Sequence, residues 1–132
     1  MALTTDLPNF KRSEFKNPHL IAPDAAEFLQ AVRTRYGHPI RVTSDARTAT
    51  ENVAAGGSPL SWHVKGRAFD LRWPADDALA FNLVDAILAE AAERTAEEIT
   101  LELELVYSER DKHIHFAVKN NGSPNRLIVA AD

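Results

Sequence analysis

Two short segments constrain this chain more than any other part: Ser61-Trp62-His63-Val64-Lys65-Gly66-Arg67-Ala68-Phe69-Asp70, and His113-Ile114-His115 further along. Three of the five histidines fall in them. There is no cysteine, so any transition-metal site must draw on His, Asp, Glu and water. Imidazoles beside a carboxylate suit a catalytic metal site with three protein ligands and one open position. Side chains alternate across a strand, so His113 and His115 project together while Ile114 and Phe116 face the other way. Asp70 shares its face with Ala68 and Arg72. His63 lies just before that strand, with Gly66 between them where the backbone needs to bend. Two adjacent strands can then gather His63, Asp70 and His115 around one ion. The competing reading is ordinary: a lone histidine on a strand usually sits in a core or on a surface.

The rest of the chain supplies the elements to hold such a site. Its 132 residues point to one domain, 1–132, large enough to bury a core without staples. The net charge of −4 argues against a nucleic-acid surface, whose usual footprint is a basic stripe. The first residues lack a basic start and an apolar run, so no secretory signal is expected. No stretch is apolar for long enough to span a membrane. Phe10 and Phe15 are expected to anchor a polar N-terminal segment onto the core. Pro23 to Tyr36 reads as a helix with Phe28, Leu29 and Val32 on its apolar stripe, ended by Gly37. Pro39 to Ser44 reads as a short strand. Residues 45–62 read as a loop with room for one helical turn, and Gly66 to Trp73 as a strand. A second helix is expected from Pro74 and Asp76 to about Thr95, with Leu79, Leu83, Ile87 and Ala91 on its buried stripe. Thr100 to Tyr107 and His113 to Lys119 read as strands joined by a hairpin-like connection, and Leu127 to Val129 as a last strand. Two main helices and a small, mostly antiparallel sheet make the class α+β.

Ser61-x-His63-x-x-Gly66-x-Ala68-x-Asp70 followed by His113-x-His115 resembles the signature of zinc D-alanyl-D-alanine carboxypeptidases and related peptidoglycan peptidases. These share a fold with lysostaphin-type enzymes and the hedgehog signalling domain. The resemblance begins near Phe10-x-x-Ser13-Glu14-Phe15, runs through Val42-Thr43-Ser44-Asp45-Ala46-Arg47 and Gly56-Gly57, and ends near Val118. The segment Val106 to His115 is especially similar to hedgehog domains.

The resemblance implies zinc held by His63, Asp70 and His115. It implies that His113 points at the open position, to place the zinc-activated water or stabilise the oxyanion. Glu109 matches the hedgehog-like carboxylate six residues before the last ligand and is the expected general base, with Asp111 as the alternative. Another branch of the family carries Glu three residues before that ligand, where this chain has Lys112. An Arg at position 47 contacts substrate in the family; its other reading is a structural loop pin. Ser61 reads as a turn cap, and Trp62 and Trp73 as core or rim residues. Glu102 and Glu104 read as the solvated face of a strand, and His19 and His38 as solvated loop residues. The implied function is zinc-dependent hydrolysis of amide bonds in peptidoglycan stem peptides or crosslinks, as a carboxypeptidase or an endopeptidase. The expected protein is a monomer, released by lysis, carried on a phage particle or exported by other means. The alternative is a hedgehog-like zinc-containing binding module without turnover.

Overall fold

The computed structural model describes residues 3–130. Helix α1 (Pro23–Tyr36) starts at Pro23, whose missing N–H costs nothing in a first turn. It stops at Gly37, left-handed at φ 78°, whose N–H donates to the Arg33 carbonyl. Strand β1 (Val42–Ser44) is shorter than the expected Pro39–Ser44. Pro39 has no N–H to offer a ladder. The expected helical turn in the following loop is α2 (Ala49–Ala54), opened by a reciprocal capping box between Thr48 and Glu51.

Strand β2 (Ala68–Arg72) carries Asp70, and helix α3 (Asp77–Ala92) follows. Asp76 caps α3, its side chain accepting from the Leu79 N–H at 2.8 Å. The helix ends at Ala92, short of the expected Thr95. Arg94 N–H already bonds the Ala91 carbonyl in a tighter turn. Strands β3 (Thr100–Tyr107), β4 (Lys112–Lys119) and β5 (Arg126–Ala130) complete the chain.

The five strands form one sheet in the order β1-β2-β4-β3-β5. Every pairing is antiparallel except β3 with β5, so the sheet is mixed with one parallel edge. The α+β architecture expected from the sequence is the observed one. Alternation sorts the sheet into two faces. Phe69, Leu71, Leu101, Leu103, Ile114 and Phe116 join the buried core with the apolar stripes of α1 and α3. Asp70, His113, His115 and Glu102 lie on the opposite face. An aromatic chain crosses the core: Phe10 to Phe15 (5.9 Å between ring centres), Phe15 to Phe69 (6.3 Å), Phe69 to Phe116 (5.4 Å) and Phe116 to Phe28 (5.6 Å). Phe10 and Phe15 are thus the expected N-terminal anchors, both buried.

The entry to β2 is fixed from both sides. Gly66 has φ 71°, and a side-chain carbon there would stand 1.9 Å from the Leu20 carbonyl oxygen. Only glycine tolerates both the backbone angle and the approach. Its own carbonyl accepts from Ala22 N–H at 2.9 Å. Buried Arg67 grips the Asp24 carboxylate with two nitrogens, at 2.8 and 2.5 Å, and donates to the Val118 carbonyl at 2.7 Å. The short path from His63 to Asp70 is therefore tied to α1 and to β4.

Candidate metal centre

The register puts the site together. Asp70 of β2 pairs directly with His115 of β4, and Arg72 with His113. Directly paired residues share a sheet face. His115 Nδ1 lies 2.9 Å from Asp70 Oδ1. His63 arrives from the turn before β2, with Nε2 3.3 Å from the same oxygen. One donor atom from each of His63, Asp70 and His115 falls within 4.8 Å of the others. Ligand atoms on a tetrahedral zinc stand about 3.4 Å apart, given metal–ligand bonds of about 2.0–2.2 Å. Two nitrogens and a carboxylate oxygen at this spacing fit such an ion.

The hydrogen bonds around the rings decide which atoms are available. His63 Nδ1 is 2.7 Å from the Asp45 carbonyl oxygen. A carbonyl can only accept, so Nδ1 donates to it and Nε2 is the nitrogen turned toward Asp70. His63 is 3% exposed, so this orientation is held by packing as well. His115 is bonded on both sides, to Asp70 through Nδ1 and to Glu102 Oε2 through Nε2 at 3.0 Å. Burial disfavours the Asp70 carboxylate, but hydrogen bonds and charge from His115 and His63 outweigh it and hold Asp70 well below the usual carboxylate range. Burial likewise disfavours a charged His115, and the Asp70 and Glu102 carboxylates outweigh it and raise its pKa.

Arg47 follows β1 and reaches the rim of the cluster. Its Nη2 stands 3.5 Å from Asp70 Oδ2 and donates to Ser44 Oγ at 3.1 Å, and Nη1 reaches Asn52 Oδ1 at 3.4 Å. Arg47 is therefore pinned by its own loop and still borders the site. His113 lies on the site face with Nδ1 2.9 Å from Asp111 Oδ1. Glu109 is exposed in the turn between β3 and β4, and among the described residues no hydrogen bond joins it to the cluster. Ser61 accepts the His63 N–H on its hydroxyl at 3.2 Å, the turn-capping role expected of it. Trp73 packs against the core and Trp62 is half-buried under the Lys65 ammonium. His19 and His38 are exposed, as expected.

Two contributors escaped the sequence. Asp45 presents a backbone carbonyl to His63, and a carbonyl leaves no trace in residue type. Glu102 was read only as part of a solvated face; it is instead mostly covered and bonded to His115. The strand register brings it there: Glu102 pairs with Ala117, placing it diagonally from His115 on the same face.

Residues 3–117 match the family described as Peptidase M15. Comparison with curated proteins finds no match. The fold is similar to the crystal structure of Serratia marcescens L-Ala D-Glu endopeptidase ChiX, with a TM-score of 0.54 and 20% sequence identity. That similarity covers 76% of this chain and 81% of the other.

Proposed function

This chain belongs to the peptidase M15 family of metallopeptidases, and we propose that residues 1–132 form one zinc-dependent peptidase domain hydrolysing amide bonds in the peptide part of peptidoglycan. The observation that carries this reading is the three-donor set of His63, Asp70 and His115 gathered at one place on the sheet. Likeness in fold to an L-Ala D-Glu endopeptidase supports the substrate class. In this reading His63 Nε2, an Asp70 carboxylate oxygen and His115 Nδ1 hold zinc. Bound zinc supplies Lewis-acid polarisation of the scissile carbonyl and lowers the pKa of an attacking water.

The remaining chemistry belongs to side chains. Asp111 accepts from His113 Nδ1 and so fixes the ring, and in the doubly protonated ring the Nε2–H is the donor that would stabilise negative charge developing on the carbonyl oxygen. Glu109 takes the water proton and returns it to the leaving amine, with Asp111 next in line for that role. Arg47, at the rim beside Asp70, binds a carboxylate or carbonyl of the peptide. The protein acts as a monomer on the cell wall.

Mass spectrometry of products from defined muropeptides, with and without a chelator, tests the reading. Loss of a terminal D-Ala identifies a carboxypeptidase, and internal cleavage an endopeptidase. Stoichiometric zinc with no product from any muropeptide would reject the enzyme in favour of a zinc-containing binding module.

A further inference from the structure

We infer that Glu102 is a positioning residue for the metal centre, which fixes the His115 ring so that Nδ1 faces the ion. The inference rests on the zinc reading above. The two nitrogens of an imidazole point to nearly opposite sides of the ring. In His115 one side is taken by Asp70 at 2.9 Å and the other by Glu102 at 3.0 Å. Glu102 therefore stands behind the ring, outside the group of donors that surrounds the ion position.

Both partners of His115 are carboxylates, which accept and do not donate when ionised. Without a metal, both ring nitrogens can carry protons and bridge the two. With a metal on Nδ1, only Nε2 keeps its proton, and Glu102 is placed to accept it. A carboxylate behind a ligating imidazole fixes its tautomer and orientation and raises its basicity. His63 has a weaker version of the same support, the neutral carbonyl of Asp45 at 2.7 Å. The two imidazoles are thus supported unequally, and the anionic support falls on the one carried by strand β4.

Glu102 is itself held. Its side chain is 18% exposed, and its second oxygen lies 3.8 Å from Arg126 Nη1 of β5. The neighbouring Glu104, which pairs directly with His115, supplies the internal control, because it adds a similar charge to the same face without the Nε2 contact.

The test is zinc affinity, read by competition with a fluorescent chelator, for the parent, Glu102→Ala, Glu102→Gln and Glu104→Ala. Glu102→Ala should weaken zinc about 10–100-fold. Glu102→Gln, which keeps an acceptor for the Nε2 proton, should recover most of that loss, and Glu104→Ala should change it little. Nitrogen-15 and proton spectra of the zinc form should show a His115 Nε2–H that is protected from water exchange in the parent and exchanges faster in Glu102→Ala. Parent-like affinity in a folded Glu102→Ala, or equal losses in Glu102→Ala and Glu104→Ala, overturns the role. A parent protein that binds no zinc fails the metal reading instead, and the two failures are told apart by that first measurement.

Discussion

Asp111 accepts the Nδ1 proton of His113 at 2.9 Å, so the carboxylate nearest in sequence to the metal face is already engaged in orienting an imidazole. In the proposed mechanism, that leaves proton transfer to Glu109. Glu109→Gln should keep stoichiometric zinc and lower kcat by about 100-fold or more. Asp111→Asn, which still accepts from His113, should lose less. Steady-state rates on a muropeptide, paired with metal analysis, separate the two; a Glu109→Gln enzyme working at the parent rate would pass the base role to Asp111.

His63→Ala removes a proposed zinc ligand whose Nδ1 donates to the Asp45 carbonyl and which is 3% exposed. The variant should retain its fold and contain no zinc after reconstitution and dialysis. Stoichiometric zinc in His63→Ala would strike it from the ligand set.

Protonation and zinc should compete in opposite directions with pH. In the zinc-free protein the raised pKa of His115 adds stability in full below its ordinary value of 6.5, lost as pH rises through the raised value. The lowered pKa of Asp70 adds stability above its ordinary 3.8, lost as pH falls through the depressed value. Zinc needs the His115 nitrogen free of its proton, so zinc-dependent stabilisation should grow as pH rises. Urea midpoints at about pH 5 and about pH 8, with chelator and with zinc, measure both slopes. His115→Gln should flatten the zinc-free slope, and an unchanged slope in that variant would assign it to other groups.

Two glycines with nearly the same backbone angle should respond very differently to alanine. Gly37 (φ 78°) faces open space, whereas a Cβ on Gly66 (φ 71°) meets the Leu20 carbonyl oxygen at 1.9 Å. Gly37→Ala should cost about 1–2 kcal/mol, the left-handed penalty alone. Gly66→Ala must also move backbone and should cost more than about 3 kcal/mol, with weakened zinc binding because His63 and Asp70 lie on either side. Equal unfolding midpoints for the two variants would contradict the close approach.

The legibility of the site follows the physics of each contact. Alternation alone placed His113 with His115 and turned Ile114 and Phe116 into the core, because a strand has a fixed period and one face was apolar. Pairing across strands was harder. Nothing in residues 68–72 or 112–119 announces that Asp70 sits opposite His115, and that register emerges only when Phe69 and Leu71 are packed against Ile114 and Phe116. Glu102 was misread because a Glu alternating with leucines looks the same whether its carboxylate meets water or an imidazole. The parallel course of β5 depends on the path of the turn after Lys119, which residue types in 120–125 do not encode. The family resemblance supplied a substrate-binding role for Arg47, whose guanidinium is in fact shared among Ser44, Asn52 and Asp70.

Asp45 joins two distant parts of the chain through its two ends. Its buried carboxylate accepts the backbone N–H groups of Lys16 and Asn17 at 2.9 and 3.0 Å, while its backbone carbonyl receives His63 Nδ1. The His63 ring is therefore linked through Asp45 to a stretch of chain outside the His63, Asp70 and His115 cluster. The backbone leading into Pro18 and the His63 imidazole are thus one residue apart in the hydrogen-bond network, so the N-terminal wrap takes part in setting where that ring stands.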